Sequence, residues 1–578
     1  MLITALLASA VLASPARHSA PLPDSAIRAR VGAYMDRLAG VGYSGAVLVL
    51  RNGKPIVERA VGFANRDAGI RADTRTTWNL GSITKQFTAA AILRLEELGK
   101  LHTTDSITRW FPGAQGPKRQ ITVHQLLTHT AGFESDFAPT DYTPNTRDEY
   151  MQRILGAPLQ SPPGAEHSYA NSGYSMLAAI IEIITGKDYE AALTDLVLAP
   201  AGMTETGYTR PNWPAARISH GYQNGNDWGT IPDKLRVSGA PFWALRGNGG
   251  LQTTLADMTR WEKVATTNLV LTDSSRRKWM TGYVNEGAGD SRYAYGWAVH
   301  PSARGTRIVE HNGGNGIFVA EWKRFLDEGI SIFLASSVAE LKASPVVDDI
   351  EKAVFGGDYT LPPAVVPADA KTLAAVAGRW RTASGEAFDI DVRDGRLVVR
   401  AGGPVTWFML TRGDTTQATR SLELGVQSLA IVQAMAKGDA KPLFDALKGR
   451  EPLDDLTRQV QGLAADRTQR LGPLKAVSLL GSVPRERGGA TTHVATVRLD
   501  YERAAVSNVL LWGPDGTLRD RIARPLAPAT FVPIAGGAFQ RLDLAGGLPD
   551  PAVRIERDGA TGRIVLVAPS GQRVVLTR

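Results

Sequence analysis

The chain has 578 residues, 43% hydrophobic and 21% charged, which suits three or four domains at about 150 residues each and is too apolar for a disordered chain. Zero Cys excludes disulfides, thiolate zinc sites, iron–sulfur ligation and a cysteine nucleophile. The net charge is +8, but 29 Lys/Arg against 23 Asp/Glu over residues 356–578 is too thin an excess for a nucleic-acid-binding face.

Residues 1–20 begin with an apolar stretch, too short to span a bilayer, that ends in small residues. It reads as a secretory signal peptide without the usual basic start, and predicts a periplasmic or secreted protein. No later run reaches 18 apolar residues, so no integral membrane segment is expected in the mature chain. A helix is predicted over 27–38, then strands over 45–50 and 55–60 joined by Arg51-Asn52-Gly53-Lys54, which carries the Asn-Gly hairpin signal. Residues 82–184 turn helical. Strands return over 295–299, 306–310, 316–320 and 330–334. Strands at both ends with helices between predict one sheet built from chain-distant segments, with a helical subdomain inserted.

Pro362-Pro363 to Pro367 reads as a linker. Beyond it, short strands with turn signals are predicted at 378–381, 387–392 and 395–400, and again at 529–533, 553–556, 563–567 and 572–576. Helical patterns at 422–436 and 441–447 and a strand at 492–497 fall between them. The expected organisation is a signal peptide (1–20), an α/β (α+β) domain over 26–355, and a β-rich, barrel-like domain in two halves, 368–415 and 526–578. An α+β module of residues 416–525 interrupts that barrel.

Three short patterns carry chemistry. Ser82-Ile83-Thr84-Lys85 opens a helix, where positions i and i+3 share a face, so the Lys85 amine can reach the Ser82 hydroxyl. A hydroxyl is a weak nucleophile and needs such an adjacent base. Alone the pattern is weak, for it arises about twice by chance in a chain this long, and Ser275-Arg276-Arg277-Lys278 matches it too. Tyr169-Ala170-Asn171 offers a phenol that can shuttle protons and an amide that can hold a carbonyl or an amine, on a loop at a helix start. His311-Asn312-Gly313-Gly314 ends a predicted strand; its glycines let a ligand approach the backbone, and the Gly314 N–H can pair with that of Ser82 as an oxyanion hole.

Order and spacing raise these above chance. Tyr-x-Asn follows Ser-x-x-Lys by 87 residues and His-x-Gly follows 142 later. This resembles the serine β-lactamase and penicillin-binding-protein superfamily, in its class C-type branch of β-lactamases, D-alanyl-D-alanine carboxypeptidases, D-aminopeptidases and family VIII esterases. Leu126-Leu127-Thr128-His129-Thr130-Ala131-Gly132-Phe133, Pro200-Ala201-Gly202-Met203, Gly247-Asn248-Gly249-Gly250-Leu251 and Tyr295-Gly296-Trp297 are similar to the family's segments. The decoy at Ser275 lies eight residues before Tyr283-Val284-Asn285, with no room for the intervening helices.

The resemblance implies an α/β catalytic domain with Ser82 as the acylated nucleophile and Lys85 as the group that helps deprotonate it. Tyr169 is implied as general base and leaving-group acid, with the choice between Lys85 and Tyr169 as first proton acceptor left open. Asn171, His311, Gly313 and Gly314 are implied in substrate binding and the oxyanion hole. His311 stands where the family's Lys-Thr-Gly has Lys. A neutral imidazole suits a carboxylate poorly, so an ester or a D-amino-acid peptide is expected ahead of a β-lactam.

The leading expectation is a serine hydrolase working through an acyl-enzyme, acting on a small molecule or short peptide. The alternatives are a β-lactamase or penicillin-binding carboxypeptidase, and a catalytically silent sensor or scaffold. No metal and no cofactor is expected. His124 and His129, five apart, do not share a helix face. Oligomeric state is not legible.

Overall fold

Helix α1 (Asp24–Gly40) leads into a hairpin, β1 (Gly45–Arg51) and β2 (Lys54–Val61). Its turn residues Asn52 and Gly53 both take positive φ, +49° and +75°, as a two-residue hairpin turn requires. The computed structural model describes residues 20–578 apart from 139, 224–225, 237–241, 288, 339–342, 360, 413–418, 488–489, 526–528, 543–552 and 569. All but the last residue of the expected signal peptide thus lies outside the described residues. The chain forms two compact units that part between Leu361 and Pro362.

In the first unit, β1 pairs antiparallel with β8 (Ile330–Ser336), from Gly45 opposite Ser336 to Arg51 opposite Ile330. The sheet continues through β7 (Val319–Phe325), β6 (Arg307–Gly314), β5 (Ala298–Pro301), β4 (Arg292–Tyr293) and β3 (Val284–Asn285), in the order β2-β1-β8-β7-β6-β5-β4-β3. Buried along nearly its whole length, β1 needs apolar residues on both faces, which is why Ala46-Val47-Leu48-Val49-Leu50 runs unbroken instead of alternating. Ala46, Leu48 and Leu50 join the core that contains helix α2 (Thr84–Glu97). Every residue of α2 from Thr84 to Leu93 is buried, so it is an interior helix, and its buried polar side chains find partners, Gln86 accepting from Trp261 and Thr88 meeting the Tyr189 hydroxyl. Helix α3 (Asn171–Thr185) packs beside it and stops at Gly186, whose φ of +67° closes the helix. Helix α4 (Ala343–Phe355) is tied to α1, where the Tyr34 hydroxyl donates to Asp349 (3.2 Å).

The strand expected at 295–299 begins only at Ala298. Tyr295-Gly296-Trp297 is a bend, because Gly296 (φ +79°) presses on α2 so closely that a Cβ would lie 2.8 Å from the Gln86 nitrogen. Likewise Gly316-Ile317-Phe318 is a turn and β7 starts at Val319. Strand β6 does not end before His311 but carries it, Asn312, Gly313 and Gly314 within the sheet.

In the second unit, Gly378–Arg381, Ala387–Arg393, Arg396–Ala401, Ala529–Pro533, Phe539–Leu542, Arg554–Arg557, Ile564–Val567 and Arg573–Leu576 form one antiparallel sheet in that order. Its ends meet: the Arg381 N–H donates to Thr577 O (2.7 Å) and the Thr577 N–H to Arg381 O (2.9 Å). That single bridge brings the two edges together and leaves a near-closed barrel around Trp380, Phe388 and Phe531. Between its third and fourth strands sits an α+β insert. Helices Thr419–Ala436 and Leu453–Leu471 share a core with the four-stranded sheet Leu474–Arg487, Ala490–Tyr501, Ala505–Trp512 and Leu518–Pro525. The Phe539–Leu542 strand, the 453–471 helix and three of the insert strands had no counterpart in the sequence reading.

Candidate active site

Gly81-Ser82-Ile83 forms one 3-10 turn that feeds straight into α2. The turn exists because Gly81 takes φ +49° and lies against β6: a Cβ there would sit 2.4 Å from the Gly314 nitrogen. Gly313 is equally constrained, its hypothetical Cβ falling 2.1 Å from Leu80 O and 2.8 Å from Ser82 N. Two backbone segments, one ending at Ser82 and one at Gly314, are therefore brought against each other with no room for side chains between them.

Lys85, the second residue of α2 and one turn after Ser82, is fully buried. Its Nζ lies 3.0 Å from Ser82 Oγ, 2.8 Å from Asn171 Oδ1 and 2.8 Å from the Asn248 carbonyl. The Asn171 amide is oriented by its own Nδ2, which donates to Asp136 (3.1 Å). The Asn248 side chain donates to Ser175 Oγ (2.8 Å) and Ala244 O (2.7 Å), which holds its carbonyl in place. Burial pulls the Lys85 pKa down to about 7, against the pull of Asp136 and Asp141, which favour the ammonium.

Tyr169 precedes α3. It lines the cleft with 37% of its surface accessible, its hydroxyl faces Ser82, and desolvation is the first cause that raises its pKa above the ordinary tyrosine range. It stays a neutral phenol at physiological pH. The Lys85 nitrogen lies 4.7 Å from its ring centre.

His311 on β6 is buried, and its pKa falls to about 4, first through burial and then through Lys85. Its Nδ1 faces the Asn312 carbonyl, an acceptor only, so Nδ1 carries the proton. Nε2 then accepts from the Tyr293 hydroxyl (3.0 Å). His311 is thus a neutral imidazole of defined tautomer, not a cation.

Tyr169 and His311 border a cleft of about 610 Å³, whose lining also includes Tyr293, Glu286, Asp290, His300 and Glu310. None of the described residues that line it is Lys or Arg. Among the described residues no group of three or more His, Asp or Glu is placed to hold a metal ion.

The profile of the family described as "Beta-lactamase" matches residues 27–354, more than half of the chain. This chain belongs to the beta-lactamase family. It is a β-lactamase-family serine hydrolase. It is 24% identical over 408 residues to "Penicillin-binding protein 4*" of Bacillus subtilis (strain 168), covering 67% of this chain and 90% of that one. It is 30% identical over 185 residues to "Protein flp" of Staphylococcus aureus (strain COL), a match spanning 31% of this chain and only 37% of that relative's length. In fold it is similar to the octameric penicillin-binding protein homologue from Pyrococcus abyssi, with a TM-score of 0.52 at 17% identity, over 96% of this chain and all of that one.

Within this β-lactamase-family hydrolase, Ser82, Lys85, Tyr169 and Asn171 meet at the start of α2, and His311, Gly313 and Gly314 reach them along β6. Four neighbours had no role in the sequence reading: His129, Asp136, Asn248 and Tyr293. Asn248 lies inside the Gly247-Asn248-Gly249-Gly250 segment already singled out, but it contributes through its backbone carbonyl, which no residue type announces. Tyr293 stands two residues before Tyr295-Gly296-Trp297, and only the pairing of β4 beside β5 brings it to His311.

Proposed function

We propose that Ser82 is acylated by an ester or amide substrate, a small ester or a D-amino-acid peptide, and that water then hydrolyses the acyl-enzyme. One observation carries this reading. Two of the three groups around Lys85 Nζ are carbonyl oxygens, which can only accept. A neutral amine donates its two N–H groups to Asn171 Oδ1 and Asn248 O, and its lone pair then faces Ser82 Oγ. With a pKa brought to about 7, that free amine is well populated at physiological pH. The phenol of Tyr169 keeps its proton, which supports Lys85 as the first acceptor. Ser82 Oγ bonds to the substrate carbonyl, its proton passes to Lys85 Nζ, and the backbone N–H groups of Ser82 and Gly314 receive the oxyanion. Lys85, through the Tyr169 hydroxyl, returns the proton to the leaving amine or alcohol. A water repeats the sequence and releases the acid.

A penicillin-binding or β-lactamase role is the second reading, supported by the likeness to Penicillin-binding protein 4*. The cleft supports it less: His311 is uncharged, no Lys or Arg is among the described lining residues, and Glu286 and Asp290 disfavour a substrate carboxylate, while Glu310 is paired with His300 and Lys323. The apolar stretch within residues 1–20 supports export to the periplasm or beyond, and among the described residues no helix is long and apolar enough to cross a membrane.

Intact-mass labelling with a fluorophosphonate and with a penicillin, with Ser82→Ala as control, tests both readings. A fluorophosphonate adduct on the parent chain alone, with turnover of p-nitrophenyl esters or D-alanyl amides, is expected. A long-lived penicillin adduct favours the second reading, and no adduct with either reagent overturns both.

A further inference from the structure

Among the described residues four non-glycine positions have positive φ: Asn52, His129, Asp394 and Lys448. Three are exposed; His129, at φ +55°, is buried with 2% of its surface accessible. Such a backbone is strained for a histidine and persists only where the surroundings impose it. His129 bears a second cost: its Nε2 is buried with no hydrogen-bond partner among the described residues. The two penalties fall together on a residue that touches Tyr169.

The contacts explain why. The His129 carbonyl accepts the Ser168 N–H (2.9 Å), and its Nδ1 accepts the Ala170 N–H (3.1 Å). One residue therefore binds the backbone N–H of the residue before Tyr169 and that of the residue after it. Between those two bonds the imidazole lies tilted against the Tyr169 ring, centres 4.3 Å apart. Accepting from an amide requires Nδ1 to be unprotonated, so the proton is on Nε2 and the ring is neutral. Burial and the nearby Lys85 favour the same neutral state.

We propose that His129 is a positioning residue for Tyr169: it clamps residues 168 and 170 and fixes the phenol against Ser82, without touching substrate itself. This rests on the acyl-enzyme reading above. Misplacing a reacting group by about 1 Å costs on the order of 100-fold in rate, which sets the scale of the effect. The chemistry also says which replacement works. Phe preserves an aromatic face and loses the acceptor for the Ala170 N–H. Asn keeps an acceptor and tolerates positive φ.

The test is per-site kinetics on p-nitrophenyl esters, with active sites counted by fluorophosphonate so that misfolded molecules drop out. His129→Phe is expected to lower kcat by about 10- to 100-fold with KM changed less than about 3-fold, and His129→Asn to stay within about 10-fold of the parent. A Phe variant within about 3-fold of the parent, a loss confined to KM, or an Asn variant as slow as Phe overturns the proposal. If His129→Phe yields no titratable sites, the Asn variant decides alone: within about 10-fold supports the clamp, and a larger loss overturns it. Failure of the parent chain to label instead overturns the hydrolase reading itself, a result these variants do not mimic.

Discussion

Lys85 Nζ and Ser82 Oγ lie 3.0 Å apart at the start of one buried helix, and the two other polar neighbours of the nitrogen are carbonyl oxygens. Helix periodicity places the pair, and in the neutral form of the amine those carbonyls take its two N–H groups. Because neither can donate, a neutral amine has only one orientation that satisfies all three contacts. Its lone pair is left for the serine.

The first prediction is a pH profile. Acylation needs the free amine, so kcat/KM should rise with pH through an apparent pKa of about 7. Asp136 favours the ammonium, so Asp136→Asn should move this limb to lower pH. His311, with a pKa near 4, should add no step between pH 5 and 8. Single-turnover acylation across pH 5–9 measures all three. A limb that is absent, or that moves upward in the Asp136 variant, removes Lys85 from the base role.

A second prediction concerns the nucleophile and its base as a unit. Ser82→Ala and Lys85→Met should each lower turnover on the order of 10⁴-fold, and the double variant little further. Additive losses in the double variant would mean the two groups act separately.

Gly313 supplies a third. An added Cβ falls 2.1 Å from Leu80 O and 2.8 Å from Ser82 N, so Gly313→Ala must part the two backbone segments that would hold an oxyanion. Loss of one such donor costs on the order of 10²–10³ in kcat. Gly53→Ala, with positive φ but nothing within 4 Å, should cost about 1 kcal/mol of stability and leave kcat unchanged. Burst kinetics and thermal melts on both variants make the comparison. Equal activity in the two would show that the approach of the segments does not matter.

Stability gives the fourth. Arg324 makes two bonds to Glu262, 2.8 and 2.9 Å, and both side chains are at most 5% exposed. Glu262→Gln leaves a buried guanidinium without its counter-charge, at about 3–5 kcal/mol. Glu262→Gln with Arg324→Met should recover much of that loss, since neither charge is then buried alone. Chemical denaturation of the parent and the two variants measures it, and a Glu262→Gln variant as stable as the parent would contradict the burial argument.

Much of the fold and the core of the site are legible in the amino-acid sequence. The hairpin at Asn52-Gly53, the interior helix behind Ser82 and most barrel strands follow from local turn chemistry and hydrophobic periodicity, which depend on neighbours within a few residues. So does the placing of Lys85 one turn after Ser82. The nesting of the insert inside the barrel was readable only as an interruption between two runs of short strands, and helix 453–471 with its following strands left too mixed a pattern to be separated.

What the tertiary structure alone decides is the state of each group. Burial sets Lys85 near pH 7, Asn312 O and the Tyr293 hydroxyl fix the His311 tautomer, and the Asn248 carbonyl takes one of the amine's hydrogens. His129 belongs here too: its sequence segment marked a family likeness, but only the approach of residues 168–170 gives its two acceptors a purpose. Protonation and orientation depend on the dielectric and the partners that long-range packing brings to an atom. Residue type and spacing carry neither, so the sequence determined which groups meet and the fold decided what each can do.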